Sequence, residues 1–106
     1  MLNKKEDTIK QNSYLVLLKD LVLKELKDQP VKIVVFGSRA RGDQNVTSDV
    51  DIAIIPTNNF DKDKLTLLRE KVEQLNIPYE VDIVNLKEAG ETFRKEILKD
   101  AIVWKD

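Results

Sequence analysis

Two short runs of apolar, mostly β-branched residues lie in the middle of the chain and limit the folds that it can adopt. The first run is VKIVVF at residues 31 to 36, and the second is VDIAII at residues 50 to 55. β-branched residues favour strands, and unbroken apolar runs of this length are typical of buried strands. The connection between the runs is about the minimum length for a full crossover helix, so we expect a mixed sheet.

Helical patterns surround these two strands. Apolar residues recur at helical spacing within about residues 8 to 28, and a second stripe follows the second strand. These two stripes are Leu15, Leu18, Val22 and Leu26, and Leu65, Leu68, Val72 and Leu75.

The C-terminal third continues the alternation of helices and strands. We predict a third strand over residues 79 to 86 and a short edge strand at AIVW, residues 101 to 104. Residues 87 to 98 between them predict a third helix, weakened by Gly90, with Phe93 and Ile97 facing inward. This order indicates an α/β (α+β) fold in which helices flank a small mixed β-sheet.

Length and composition narrow the class of protein. A chain of 106 residues fits a single domain, 1–106. Cysteine and histidine are absent, which excludes disulfides, thiol nucleophiles, imidazole bases and the common zinc ligands. The net charge of -1 gives no basic field for nucleic acid. With no apolar run long enough for a membrane span or a signal peptide, we expect a soluble cytoplasmic protein.

Three acidic residues are candidates for one site. Asp49 and Asp51 are two residues apart at the start of the second strand, so both side chains point to one face and can reach one cation. Asp82 is a single acid in the third strand that could complete the cluster; Glu80 is its nearest rival and is interpreted as solvated surface. Carboxylate ligands without histidine or cysteine indicate magnesium or manganese.

The turn GSRARG, residues 37 to 42, supplies groups that suit a phosphate. Gly37 allows close approach of the backbone to a ligand, and Ser38 adds a hydroxyl. Arg39 and Arg41 add positive charge. A phosphate-binding turn beside metal-binding acids suggests a metal-bound nucleoside triphosphate.

Neither a Walker A loop nor an EF-hand loop fits these residues. Asp43 and Gln44 stand where a Walker A loop needs Lys and Ser or Thr, and the acids lack the remaining ligands of an EF-hand. Ser48 either caps the turn or orients a neighbouring ligand by a hydrogen bond. Val16 and Leu23 project together among lysines of the first helix, where they could contact a partner.

The motif itself resembles a known signature. Gly37 and Ser38, then ten residues, then Asp49-Val50-Asp51 resemble the G-S-x10-D-x-D pattern of the DNA polymerase β nucleotidyltransferase superfamily. The string GSRARG…SDVDIAI is similar to its minimal nucleotidyltransferase branch, the MNT or MntA-like antitoxins that pair with HEPN-domain toxins. The resemblance covers nearly the whole chain and implies the polymerase β-like nucleotidyltransferase fold.

The resemblance assigns roles to the site residues. It implies that Asp49 and Asp51 bind two Mg²⁺ ions, with Mn²⁺ as a substitute, and that Asp82 is the third carboxylate, either as proton acceptor or only as metal ligand. For the triphosphate of ATP it implies Gly37, Ser38 and Arg41, whereas Arg39 occupies a variable position.

The resemblance also implies a reaction, which is the transfer of AMP from ATP to a hydroxyl of a HEPN-domain toxin. Tyrosine is the favoured acceptor. Two alternatives stay open: an antitoxin that neutralises its HEPN partner by binding alone, and transfer to a small molecule. The sequence also leaves a homo-oligomer open.

Overall fold

The computed structural model describes the backbone of residues 3–37 and 49–106 and the side chains from residue 13 onward within those ranges. It contains three helices and four strands within the described residues, and a short 3-10 turn, Leu86–Glu88, follows the third strand. The elements are α1 (Asn3–Glu25), β1 (Val31–Phe36), β2 (Val50–Pro56), α2 (Lys62–Glu73), β3 (Val81–Asn85), α3 (Glu91–Lys99) and β4 (Ile102–Lys105).

The strands form one four-stranded sheet in the order β3-β2-β1-β4. β1 is antiparallel to β2 and to β4, whereas β2 and β3 are parallel. A parallel pair needs a crossover, and α2 supplies the one between β2 and β3. The predicted mixed sheet flanked by helices is therefore confirmed.

The two faces of the sheet are covered unequally. Ile33, Ile52 and Ile83 lie in the larger core, which also contains the buried side chains of α1 and α2. Val34 and Ala53 lie in a smaller core on the other face, where α3 contributes Ile97. Because side chains alternate along a strand, the acids that flank Val50 belong to the second, less covered face.

Both predicted apolar stripes face the larger core. Leu18 and Val22 of α1 are completely buried, and so are Leu26, just after α1, and Leu68 of α2. The other members of the two stripes are buried or pack, partly exposed, against the same core.

The ends of α1 and one of its surfaces differ from the predictions. The helix begins at Asn3 and ends at Glu25, earlier at both ends than the pattern indicated. Leu23 packs, partly buried, against the core, so the expected surface of Val16 and Leu23 does not form. The exposed apolar neighbour of Val16 is Leu17.

The C-terminal third differs from the predictions in the length of β3, in the place of Gly90 and in the orientation of Phe93. β3 is shorter than the predicted strand at both ends. Tyr79 is buried but lies before the strand begins, and Leu86 already belongs to the 3-10 turn. Gly90 is the N-cap of α3 and does not interrupt the helix.

Phe93 is 52% exposed, so the prediction that it faces inward was wrong. The inward stripe of α3 instead passes through Ile97 and through Arg94, whose Nη2 donates to the Leu86 carbonyl oxygen over 2.9 Å. The predicted edge strand is present as β4. Within the described parts of the chain, no helix is both long enough and apolar enough to cross a membrane.

Candidate active site

Asp51 and Asp82 form the centre of the candidate site. They are direct partners in the parallel register of β2 and β3. Adjacent strands lie about 4.8 Å apart, and paired residues of a parallel ladder project on the same face. The fold therefore places Asp51 and Asp82, which are distant in the sequence, side by side on neighbouring strands.

Asp49 contributes to the same electrostatic environment from just before β2, where its side chain is exposed. Burial raises the pKa of the Asp51 carboxyl above its ordinary value of 3.8, and the negative charges of Asp82 and Asp49 raise it further. A carboxyl group whose pKa is raised by two others is in a position where a cation would relieve repulsion.

Gly37 closes the site from the end of β1. It has a φ of 77°, a conformation that favours glycine, and a Cβ placed on it would lie 2.5 Å from Oδ2 of Asp51. The approach is this close because Phe36, the residue before it, is the register partner of Asp51. Sequence reasoning explained Gly37 by contact with a ligand; the structure adds a contact with the carboxylate of Asp51.

Several predicted site residues lie outside the described residues. These are Ser38, Arg39, Arg41 and Ser48, and their roles stay predictions. Glu80, the rival of Asp82, has an exposed side chain, and its carbonyl oxygen accepts a hydrogen bond from the Val50 amide over 2.9 Å.

The donor chemistry of the site fits a hard divalent cation. The sequence contains no histidine or cysteine, so oxygen atoms are the ligands available, and Asp51 and Asp82 are adjacent. In the described part of the chain, no three acidic side chains are already close enough to form a ready-made metal cluster. The metal-binding and catalytic roles of Asp49, Asp51 and Asp82 therefore stay predictions.

Sequence reasoning gave no role to Arg69. Its guanidinium Nη2 reaches from α2 to the carbonyl oxygen of Ile83 in β3, over 2.6 Å. Arg69 is one of several charged residues on α2, and nothing in the spacing of the sequence distinguishes it from its neighbours.

The described structure combines a mixed sheet, paired aspartates on neighbouring strands and a glycine packed against one of them. The sequence pattern of the family described as "Polymerase beta, Nucleotidyltransferase" matches residues 18–106. The chain belongs to this family, and the predicted resemblance is confirmed.

Individual relatives refine the comparison. The chain is 34% identical over 68 residues to a protein of Haemophilus influenzae named as the protein adenylyltransferase MntA, a match that covers 64% of this chain and 60% of that protein. The chain thus spans about three fifths of the length of this curated relative.

Two solved structures share the fold. A toxin-antitoxin crystal structure with AMP-PNP is similar with a TM-score of 0.63 and 25% identity, over 81% of this chain and 71% of that one. A structure of the tri-AMPylated HEPN toxin of Shewanella oneidensis in complex with its MNT antitoxin has a TM-score of 0.58 and 22% identity, over 83% and 69% of the two chains. The second likeness shows the fold alone.

Proposed function

We propose that this protein is a Mg²⁺-dependent nucleotidyltransferase that transfers AMP from ATP to a hydroxyl group of a HEPN-domain toxin. A tyrosine hydroxyl is the proposed acceptor. The modification neutralises the toxin, so the protein acts as an antitoxin in the cytoplasm.

One observation carries the proposal: Asp51 and Asp82 are register partners on parallel strands, and the Gly37 backbone packs against Asp51. Paired carboxylates suit the metal ions of phosphoryl transfer, and Gly37, where the proposed phosphate-binding turn begins, packs against Asp51 of that pair. The raised pKa of Asp51 is consistent with a site that is completed by a cation.

The relatives support the choice of reaction and of partner. The Haemophilus influenzae relative carries the name of a protein adenylyltransferase. One similar structure contains AMP-PNP, and another contains an AMPylated HEPN toxin bound to an MNT antitoxin. Because this chain spans only part of the length of the Haemophilus influenzae relative, the activity of that relative is a proposal for this chain.

The chain's own residues would act as follows. Asp49 and Asp51 hold the metal ions, while Ser38 and Arg41 hold the triphosphate. When bound, Mg²⁺ polarises the α-phosphate and lowers the pKa of the acceptor hydroxyl. The hydroxyl oxygen would form a bond to the α-phosphorus, the bond to pyrophosphate would break, and the Asp82 carboxylate would accept the hydroxyl proton.

The proposal is tested with the purified HEPN partner, Mg²⁺ and ATP. We expect pyrophosphate release that depends on the partner, because the acceptor hydroxyl must be positioned by a second molecule. The partner should gain the mass of one or more AMP units. Asp51→Asn should abolish both signals, whereas Asp20→Asn, at an exposed position of α1, should leave them unchanged. Absence of both signals with the wild-type protein would contradict the proposal.

A further inference from the structure

A groove of about 660 Å³ runs beside the candidate site. One wall is β3 with the residues that lead into it, from Tyr79 to Ile83, and the other wall is the C-terminal half of α2 with the turn that follows. Asp82 lines this groove and also belongs to the carboxylate pair of the site. The groove is therefore continuous with the place where the proposed reaction occurs.

β3 is an edge strand, and among residues 3–37 and 49–106 no strand pairs with its outer edge. The Val50 amide donates to the Glu80 carbonyl oxygen, and this bond identifies which residues of β3 direct their peptide groups toward β2. Alternate residues of a parallel strand bond to the same neighbour, so Asp82 directs its peptide groups to β2. The peptide groups of Val81 and Ile83 consequently face the groove.

Arg69 closes one end of this edge. Its guanidinium donates a hydrogen bond to the carbonyl oxygen of Ile83. The peptide groups of Val81 and the amide of Ile83 are therefore the groups that can pair with a further strand. A strand added to β3 is thereby limited to the part of the edge that lies beside Asp82.

The charge of the groove indicates the kind of segment that it can receive. Among the described residues that line it, Glu73, Glu80 and Asp82 are acidic and Arg69 alone is basic. Because Arg69 already contacts a carbonyl oxygen, the groove favours a basic segment. Val72 and Ile77 in the same walls can cover the aliphatic stems of long basic side chains.

We propose that this groove receives an extended, basic segment of the partner protein, which pairs with the outer edge of β3 as a fifth strand and carries the acceptor hydroxyl. The inference rests on the proposed function and adds to it the place and the conformation of the acceptor. Strand addition to an open sheet edge supplies main-chain hydrogen bonds, while pockets for alternate side chains supply specificity.

The sheet geometry fixes which residue of the segment is the acceptor. Residues paired across neighbouring strands project on the same face, so the residue opposite Asp82 points to the face of the carboxylates. The hydroxyl of that residue then lies next to Asp82, the proposed acceptor of its proton. The residues before and after it point to the other face, toward Glu73 and the apolar wall of α2.

The sequence contains no cysteine, so an introduced cysteine is the single thiol of the chain and can be labelled specifically for cross-linking. Glu73→Cys in the groove and Glu96→Cys on α3 are the same change at two exposed helical positions. Each variant is labelled with a benzophenone maleimide, mixed with the HEPN partner, Mg²⁺ and ATP, and irradiated. Mass spectrometry then maps the cross-links, and the same sample reports the AMP added to the partner.

We expect the Glu73→Cys probe to cross-link to the residues that flank the modified hydroxyl, and the Glu96→Cys probe not to do so. If AMP is transferred but the groove probe labels a distant segment of the partner or a second copy of this chain, the inference is wrong and the proposed function stands. Groove cross-links without AMP transfer would support docking and contradict the reaction. If neither groove cross-links nor AMP transfer is detected, both the inference and the proposed function are contradicted.

A charge-reversal pair gives a second readout that does not depend on chemistry. Glu73→Lys should weaken binding of the partner about tenfold, because it places a positive charge opposite a basic segment, whereas Glu96→Lys should change the affinity less than about twofold. Equal affinities for the two variants would contradict the docking site even if AMP transfer is intact.

Discussion

Gly37 and Asp51 lie so close together that the site has no room for a side chain at the glycine. A Cβ at residue 37 would stand 2.5 Å from Oδ2 of Asp51, and the backbone there has a φ of 77°. The position of the Asp51 carboxylate and the backbone conformation at Gly37 therefore depend on each other.

Gly37→Ala should consequently damage both stability and the site. The left-handed backbone costs an alanine about 1–2 kcal/mol, and the added methyl group must displace the carboxylate of Asp51. We expect a lower melting temperature and a large loss of Mg²⁺-ATP affinity in calorimetry. Gly90→Ala is the control, because a Cβ there meets nothing within 4 Å. Equal effects of the two substitutions would contradict the close packing of Gly37 and Asp51.

Asp51→Asn should stabilise the metal-free protein at neutral pH. The raised pKa of Asp51 means that the folded protein binds this proton more tightly than the unfolded chain does, so wild-type stability falls as the pH rises from 3.8 through the raised value. Asparagine removes this loss. The advantage of the variant should therefore shrink as the pH is lowered toward 3.8, as measured by urea unfolding at several pH values. An advantage that does not change with pH would contradict the electrostatic origin.

Asp82 and Glu80 offer a direct test of the third carboxylate. Asp82 is the register partner of Asp51, whereas Glu80 lies before β3 with an exposed side chain. A nucleotide at 100 times its Kd stabilises a protein by about 2.7 kcal/mol. We expect Mg²⁺ with a non-hydrolysable ATP analogue to raise the melting temperature of Glu80→Gln as much as that of wild type, and that of Asp82→Asn much less. The reverse order would assign the role to Glu80.

The fold was largely predictable, because its signals are local. The β-branched runs of β1 and β2 and the apolar stripe of α1 each specify an element without knowledge of the rest. Phe93 was mispredicted because helical spacing alone does not fix which residue of the first turn of α3 faces the sheet. Arg94 takes that place through its hydrogen bond to the Leu86 carbonyl oxygen, a tertiary contact that no pattern indicates.

The site was predictable only in part. The spacing of Asp49 and Asp51 is local, but the pairing of Asp51 with Asp82 depends on the register of two strands that are distant in sequence. The same limit applies to Gly37, whose tight contact with Asp51 arises from the antiparallel pairing of β1 and β2. Arg69 was missed because its role depends on the edge position of β3.

The proposed phosphate-binding turn yields a prediction from the sequence alone, because its residues after Gly37 lie outside the described part of the chain. Ser38→Ala and Arg41→Ala should each weaken binding of a non-hydrolysable ATP analogue with Mg²⁺ in calorimetric titrations. Arg39→Ala should matter less and serves as the matched control for Arg41→Ala. Unchanged affinity in both Ser38→Ala and Arg41→Ala would leave the turn with a structural role alone.

The intact mass of the proposed HEPN partner, recovered from cells, tests the central claim most directly. The partner is co-expressed with the wild-type protein or with the Asp49→Asn, Asp51→Asn double variant, and both growth and mass are measured. We predict that the wild type protects the cells and that the partner gains AMP, whereas the double variant adds no mass and protects less. Equal protection by both proteins, with no added mass in either case, would contradict AMP transfer and would instead indicate neutralisation by binding alone.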